Sequence, residues 1–228
     1  MYPWLKLSLS LSCYPISMEY LQVILPDLIP LFPLPLVLFP GTAVPLHIFE
    51  ERYKIMIRDV MDGDETFGIV RVEDSSGKLA KTGCLAKLTS IERLADGRMN
   101  IFTEGVKKFS IIELVQERAY AQARVKMLDE PVPNAKAQEL AKKLRTLLDD
   151  VIRLSEKLAG EFIPSDKVPS DPTGLSYWIA DCFYSSTAEQ QKLLDMLTVN
   201  ERLESERIRL DAACKQLAAR TALKDVFS

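Results

Sequence analysis

Residues 31–58 read LFPLPLVLFPGTAVPLHIFEERYKIMIR, an apolar run that is punctuated by prolines and then becomes amphipathic. The prolines stand at positions 33, 35, 40 and 45. Because each proline lacks a backbone N–H donor, the run cannot be one long central strand. The pattern instead predicts short strand pieces, a turn at Pro40-Gly41, a second strand at 44–48 and a helix that begins near Phe49.

The same segment resembles the opening motif of the LON substrate-binding domain, the N-terminal domain of Lon proteases. That motif has the form LPLFPL…LFPG…PLHIFE.RY..M, in which dots mark variable positions. The residues that match it are Leu31, Phe32, Pro33, Leu34, Leu38, Phe39, Pro40, Gly41, Pro45, Leu46, His47, Ile48, Phe49, Glu50, Arg52, Tyr53 and Met56. So many matches in one order form a specific signal, unlike a lone short motif.

Later segments carry the same resemblance. Residues 83–109 look like a family segment, although Lys107-Lys108 stands where an Arg usually precedes the Phe. This change is conservative if no bidentate contact is needed at that position. Residues 171–176, DPTGLS, and 189–194, EQQKLL, look like two further family segments. The resemblance covers about residues 26–228 and implies a PUA-like β domain followed by a helical bundle.

The resemblance is limited to one part of a Lon protease. Full-length members add an ATPase module and a Ser-Lys peptidase module, and neither signature occurs in this sequence. The only Gly-Lys pair is Gly77-Lys78, which Leu79 follows, so the sequence has no G-x-x-x-x-G-K-[ST] phosphate-binding loop. The Gly-Pro-Ser-Ala-Gly setting of the peptidase serine is also absent. The resemblance therefore implies polypeptide recognition without catalysis and without a cofactor.

Hydrophobic periodicity divides the chain near Pro131-Val132-Pro133-Asn134. Before this point apolar and polar residues alternate over several short segments, as at 121–127, and Asp96-Gly97 marks a tight hairpin. After it the period changes to 3.6 and predicts a helix at 136–159, followed by further helices. The predicted class is α+β. About six strands and one early helix favour a small β barrel, PUA-like by the resemblance, followed by a C-terminal α-helical bundle.

Two tetrapeptides have the form of helix-capping boxes. They are Ser186-Thr187-Ala188-Glu189 and Thr198-Val199-Asn200-Glu201. Each predicts the start of one of the last two helices. The final helix carries Leu203, Leu210 and Leu217 at seven-residue spacing, which is typical of a buried helical face.

We therefore predict three segments: an N-terminal extension at 1–25, a PUA-like β domain at 26–130 and a helical domain at 131–228. Residues 1–17 alternate apolar residues with serine, a pattern that suits neither a signal peptide nor a transit peptide. They are interpreted as an upstream extension from a misplaced start codon, or alternatively as a genuine flexible or edge-strand extension. The expected location is the cytoplasm, or the plastid stroma if the source is a photosynthetic eukaryote, and no membrane partner is expected.

Charge and residue counts argue against several classes of site. The formal net charge is −3, and basic and acidic residues are nearly balanced in both halves, which argues against binding of a nucleic-acid backbone as the main activity. An RNA-binding PUA-like module stays an alternative by fold analogy. The four cysteines lie far apart and His47 is the only histidine, so no metal site is predicted. We expect reduced thiols, and a His47 that hydrogen-bonds at a strand–helix junction.

The candidate binding residues lie in the second half of the chain. Trp178 and Tyr184, with Phe162 and Ile163, form a candidate apolar patch of the kind that captures exposed hydrophobic segments. Core packing is the alternative for Trp178, which falls at helical core spacing. The predicted partners are unfolded or tagged client polypeptides and a separate protease. An accessory subunit of an ATP-dependent Lon-type protease is the alternative function.

Overall fold

The computed structural model describes residues 27–73, 76–115, 118–159, 168–184 and 186–227. Within these residues the chain forms six strands and five helices. In chain order they are β1 (Asp27–Leu34), β2 (Ala43–Ile48), α1 (Glu51–Met61), β3 (Thr66–Arg71), β4 (Thr82–Arg93), β5 (Met99–Val115), β6 (Gln122–Met127), α2 (Ala135–Ala159), α3 (Pro172–Phe183), α4 (Thr187–Asp195) and α5 (Val199–Phe227). The predicted combination of strands and helices is confirmed, and the predicted extension at 1–25 lies outside the described residues.

The six strands form one sheet in the order β2-β5-β4-β3-β1-β6, and β6 also pairs with β5. This second pairing closes five of the strands into a ring and leaves β2 attached to β5 alone. β1 and β3 are parallel, whereas the other pairs are antiparallel. Within the described chain, β2 is therefore an edge strand with one unpaired side. The PUA-like character of the sheet stays a prediction.

β4 and β5 form the long hairpin that Asp96-Gly97 predicts. Gly97 has a φ of +81°, a backbone conformation that glycine adopts without strain. The Leu94 N–H donates to the Arg98 carbonyl oxygen at 2.9 Å and closes the turn. The hairpin places Arg93, Arg98 and the start of β5 at one end of the sheet.

Gly105 lets the proline-rich segment pass directly over β5. A Cβ atom at this position would lie 2.1 Å from the Phe39 carbonyl oxygen, so a larger residue would push the two backbones apart. The Gly41 N–H donates to the Gly105 carbonyl oxygen at 2.7 Å, and the Gly105 N–H donates to the Thr42 carbonyl oxygen at 2.9 Å. The predicted turn at Pro40-Gly41 is thereby fixed to the middle of β5.

α1 begins at Glu51 rather than near Phe49, so the predicted helix start is wrong by two residues. The reason is that β2 remains paired with β5 up to Ile48, which leaves residues 49 and 50 to make the turn. As a consequence the Phe49 side chain is 61% exposed instead of lying on the buried helical face. The residues of α1 that do enter the sheet interior are Tyr53, Met56, Ile57 and Val60.

The helices build a second apolar core in which α2 packs along α5. Leu203 and Leu210 are fully buried in it and Leu217 packs against it, as the seven-residue spacing predicts. The capping box at the start of α5 is confirmed, since the Glu201 N–H donates to Thr198 Oγ1 at 3.3 Å and the Thr198 N–H donates to Glu201 Oε2 at 3.2 Å. Ser186 is the N-cap of α4, so the helix start predicted by the other tetrapeptide is confirmed, although the Ser186 side chain makes no capping hydrogen bond.

A buried cluster of charges joins the sheet to the helices. Glu130 lies in the extended segment between β6 and α2, next to the predicted domain boundary. Arg202 of α5 is fully buried and donates from NH2 to Glu130 Oε1 at 2.6 Å. Lys108 of β5, only 3% exposed, places its Nζ 3.5 Å from Glu130 Oε2 and donates to the Met196 carbonyl oxygen at 2.7 Å. Sheet, linker and helices thus meet at one carboxylate, and the division into two domains stays a prediction.

Tyr177 of α3 completes this charge cluster. Its hydroxyl donates to Glu130 Oε2 at 2.6 Å, and the Arg202 guanidinium lies over its ring, 4.3 Å from the centroid. Burial alone would raise the pKa of Glu130, but the hydrogen bond and charge of Arg202, with smaller contributions from Tyr177 and Lys108, hold that pKa below its ordinary value. Glu130 is therefore ionised at neutral pH and compensates two buried cations.

We predict that Arg202→Met lowers the free energy of unfolding by about 3–5 kcal/mol, because the partly buried Glu130 carboxylate loses its shortest ion pair. Urea denaturation followed by circular dichroism measures the loss. Arg207→Met is the matched control, since Arg207 lies on the same helix in a solvent-exposed pair with Glu204, and its replacement should cost far less stability. Equally small losses in both variants would contradict the structural role of the cluster.

α5 also carries Glu206, whose carboxylate is fully buried. No Lys or Arg side chain of the described residues donates a hydrogen bond to it. The Ser176 hydroxyl donates to Glu206 Oε1 at 2.9 Å, while Oε2 has no hydrogen-bond partner among the described residues. Burial raises the pKa of Glu206 to about 8, and the Ser176 hydrogen bond and the Arg202 charge offset this only in part. The side chain is therefore mostly protonated at neutral pH.

This raised pKa predicts a pH-dependent stability. Between the ordinary value of 4.5 and about 8, the folded protein holds a proton that the unfolded chain releases, so the free energy of unfolding falls as pH rises. The slope for one proton reaches about 1.4 kcal/mol per pH unit. We predict that Glu206→Gln flattens the dependence between about pH 6 and pH 8 in urea denaturation. Glu204→Gln, an exposed change on the same helix, should leave the slope intact, and an unchanged slope in Glu206→Gln would refute the assignment.

Candidate functional site

The outer side of the β2–β5 pair exposes an apolar surface. Pro45 of β2 faces Phe102 of β5 across the pair, and the Phe102 side chain is 50% exposed. Phe49 follows β2 directly and stacks on the His47 ring at 6.1 Å between centroids. We call Ala43, Pro45, Phe49 and Phe102 the outer β2–β5 patch. Exposed aromatic rings that lie close together with other apolar side chains are typical of an interaction surface.

The patch borders the unpaired side of β2. An edge strand offers backbone N–H and C=O groups to another extended segment. Pro45 removes one of these donors, which limits continuous pairing with a second sheet. The site therefore combines an apolar face with a short open strand edge, the two elements that bind extended peptides in strand-addition complexes.

A ladder of polar side chains crosses the same face beside the patch. His47 Nδ1 lies 2.8 Å from Asn100 Oδ1, and Asn100 Nδ2 donates to Glu92 Oε2 at 2.8 Å. Arg98 NH1 lies 3.4 Å from His47 Nε2. Both ring nitrogens of His47 thus have polar neighbours, which confirms the predicted hydrogen-bonded histidine at the strand–helix junction. His47 therefore lies between Phe49 of the patch and Arg98, which lines a pocket farther along the sheet.

That pocket has a volume of about 390 Å³ and lies between α1 and the β4–β5 turn. Its lining residues are Glu51, Lys54, Arg58, Arg93, Leu94, Gly97, Arg98 and Met99. We call it the basic pocket, because four of these residues are cationic and one is anionic. Glu51 is shared between Arg58 at 3.1 Å and Lys54 at 3.5 Å.

The remaining two cations of the basic pocket differ in their partners. Arg98 pairs with Asp96 at 2.7 Å, and the Arg98 backbone and side-chain hydrogen bonds hold the pKa of Asp96 below its ordinary value. Arg93 donates from NH2 to the Met61 sulfur at 3.5 Å and makes no ion pair with a described carboxylate. The pocket therefore carries more positive charge than its own acidic residues neutralise.

The residues that the sequence singles out for binding lie elsewhere. Trp178 is half-buried and packs on Phe183, 6.0 Å between ring centroids, against the helical core. Tyr184 is only 8% exposed, and Arg209 lies over its ring at 5.5 Å. Phe162 and Ile163 lie outside the described residues. The structure therefore joins Trp178 and Tyr184 to the core of the helices, and their role in recognition stays a prediction.

Sequence reasoning did not select the residues of the outer β2–β5 patch, and it named the β-domain surface around Pro40–Pro45 only as an alternative position for the binding site. A signal for it exists, because Ala43, Pro45 and His47 alternate with Val44, Leu46 and Ile48 in β2. The alternation identifies the outward residues of β2 but not their neighbours on β5. The pairing of Pro45 with Phe102 depends on a contact between distant parts of the chain, which periodicity cannot supply.

Three other kinds of feature concern the described residues: reactive thiols, clusters of metal ligands and membrane-spanning helices. Burial raises the pKa of the Cys84 thiol to about 12 and that of the Cys182 thiol to about 11, so both are protonated at neutral pH and poorly nucleophilic. Among the described residues there is no group of three or more His, Cys, Asp or Glu side chains that could hold a metal ion. None of the described helices combines the length and the apolar composition that crossing a membrane requires.

Comparison with known proteins finds matches to Lon proteases. The family model of the ATP-dependent protease La (LON) substrate-binding domain matches residues 28–211. The Lon protease of Syntrophus aciditrophicus is 27% identical over 191 residues, which are 78% of this chain and 24% of that protein. The Lon protease of Escherichia coli K12 is 27% identical over 184 residues, 77% of this chain and 24% of that protein. The chain spans about a quarter of the length of the curated relatives that it matches.

Solved structures share the fold. The N-terminal domain of Lon protease from the Mycobacterium avium complex superposes with a TM-score of 0.66 at 19% identity, covering 81% of this chain and 98% of that one. The Lon N-terminal domain protein from Xanthomonas campestris gives a TM-score of 0.58 at 22% identity, covering 78% of this chain and 96% of that one. Since the family model matches most of its length, this chain belongs to the LON substrate-binding domain family.

Proposed function

We propose that this chain recognises unfolded or tagged polypeptides and binds them without catalysis of its own. The observation that supports this most directly is the outer β2–β5 patch, an exposed aromatic surface beside an open strand edge in a member of a substrate-binding family. The matching relatives are Lon proteases of which this chain spans about a quarter, so the activity of those whole proteins does not transfer by similarity alone.

The chemistry of the patch favours extended, apolar segments. Covering a half-exposed phenylalanine ring removes apolar area from water, which stabilises a complex by roughly 25 cal/mol per Å². Backbone hydrogen bonds to the open side of β2 are independent of the side chains of the ligand. Together these contributions give binding that tolerates many sequences. They also favour unfolded chains over native ones, because a native protein has already paired its strands and buried its apolar side chains.

Several features of the site argue against chemistry at this surface. His47 shares its nitrogens with Asn100 and Arg98, and no serine or thiol lies among its hydrogen-bond partners. The thiols of Cys84, in the sheet core, and Cys182, on α3, are not part of the patch and are protonated at neutral pH. Bound polypeptide would therefore be held rather than cleaved, and we propose that a separate protease receives it. An accessory subunit of an ATP-dependent Lon-type protease is the second candidate, supported by the identity of the relatives.

We predict that Phe102→Ser weakens binding to a permanently unfolded test protein about tenfold, the equivalent of about 1.4 kcal/mol, because the central ring of the patch is lost. Fluorescence anisotropy measures the affinity, and circular dichroism verifies that the fold is intact. Ile208→Ser on α5 is the matched control, since Ile208 is 59% exposed and far from the patch in sequence and fold. Equal affinities of the Phe102→Ser variant and the unaltered protein would exclude the patch.

Such a negative result would favour the alternative binding residues Trp178, Tyr184 and the Phe162-Ile163 segment. Tyr184→Ser is a poor probe of that idea, because the side chain is buried and its removal would also cost stability. Trp178→Ser has the same difficulty in part, so its binding data need a stability measurement on the same sample. A preference for native over unfolded protein would remove the recognition hypothesis altogether.

We predict further that the purified chain neither hydrolyses ATP nor cleaves casein. The physical reason is the missing phosphate-binding loop and peptidase serine motif in the sequence. Phosphate release and gel electrophoresis of casein measure the two activities. Either activity, if a point substitution within this chain abolished it, would contradict recognition without catalysis.

A further inference from the structure

The basic pocket and the outer β2–β5 patch form one continuous surface. The His47 ring contacts Phe49 of the patch on one side and lies 3.4 Å from Arg98 of the pocket on the other. Phe49 is also only two residues from Glu51, which lines the pocket. A segment bound across the patch would therefore continue directly into a volume of about 390 Å³.

We propose that the basic pocket takes the carboxylate of an Asp or Glu side chain in a bound polypeptide. The chain would then select segments in which an acidic residue lies near an aromatic one. This inference rests on the proposed function, because it assigns a specificity to the same binding surface. The acidic specificity is a separate claim from the proposed function, because an apolar patch alone would bind neutral and acidic segments equally.

Unbalanced charge is the first observation in favour. The pocket contains four cationic side chains, those of Lys54, Arg58, Arg93 and Arg98. The acidic side chains next to them are Glu51 in the pocket and Asp96 on the adjoining turn. Glu51 forms ion pairs with two of these cations and Asp96 forms one with a third. Arg93, by contrast, has a methionine sulfur as its hydrogen-bond partner. A carboxylate from a ligand would supply Arg93 with an ion pair that the described residues do not offer. A planar guanidinium also presents two N–H groups in the geometry that a carboxylate accepts.

The surroundings favour a polypeptide carboxylate over a nucleic-acid phosphate. The surface next to the pocket is apolar and includes Pro45 and Phe102, with Glu92 on the polar ladder beside them. A nucleic acid laid across this face would bring its phosphates towards Glu92 and Asp96, and the chain as a whole carries a net charge of −3. An extended peptide can place an aromatic side chain on the patch and an acidic one in the pocket, because alternate residues of a strand point to the same face.

The test uses the full chain and two labelled peptides of about ten residues that differ only in Glu against Gln at two positions beside a phenylalanine. At low salt we expect the Glu peptide to bind about fivefold more tightly than the Gln peptide, with the difference shrinking at high salt. Replacing two of the guanidinium groups of the pocket, in the variant Arg58→Gln with Arg93→Gln, should abolish the difference between the two peptides. Lys126→Gln removes an exposed charge on β6 and should retain the full difference.

Each other outcome overturns the inference in a distinguishable way. Equal binding of the two peptides by the unaltered chain removes the acidic specificity but preserves polypeptide recognition. Equal affinities of the two peptides that both fall when the C-terminus is amidated would assign the pocket to chain ends instead of side chains. Tighter binding of a single-stranded oligonucleotide than of the Glu peptide assigns it to phosphate. No binding of either peptide removes the inference together with the proposed function.

Discussion

Glu130 is the residue on which the arrangement of sheet and helices depends. It lies in the connection between them and is contacted by Lys108 from the sheet, Arg202 from the last helix and Tyr177 from the helix between. Ion pairs of this kind add little net stability when compared with an apolar packing of the same volume, but they are severely destabilising when one member is missing. The cluster therefore acts less as a source of stability than as a constraint on position, since a displacement of the helices would leave buried charges without their partners.

The same cluster explains a departure of this sequence from its family. An Arg usually precedes the Phe where this chain has Lys108 and Phe109. In the structure the Lys108 ammonium makes single contacts, to the Met196 carbonyl oxygen and to the Glu130 carboxylate, and it makes no two-pronged contact of the kind that needs a guanidinium. Burial lowers the pKa of Lys108, and the Glu130 charge counters this shift. The fully buried guanidinium that stacks on Tyr177 belongs to Arg202 instead.

Local features of the sequence predicted most of the elements but few of their contacts. The Asp96-Gly97 turn, the change of period after Pro133 and the Thr198–Glu201 capping box depend on neighbouring residues, and each is present in the structure. The helix start near Phe49 was wrong because a strand pairing between distant residues outlasts the local helical pattern. The aromatic residues chosen for binding were also selected on local grounds, whereas exposure is decided by packing. Trp178 and Tyr184 pack on the helical core, while Phe49 and Phe102, which were not selected as binding residues, are half-exposed or more.

β5 shows how one strand can serve both structure and recognition. At its start, inward residues such as Ile101 alternate with outward ones such as Phe102, which is left uncovered. Further along, Lys108 and Phe109 are both buried, because helices cover the outer face there while the sheet interior takes the ring. The exposed half is held on both sides by β2 and β4, so a ligand finds the patch already formed and little of its binding energy is spent on ordering the protein. In the proposed function the conformational adaptation would then fall to the extended segment that binds, because the patch itself is already formed.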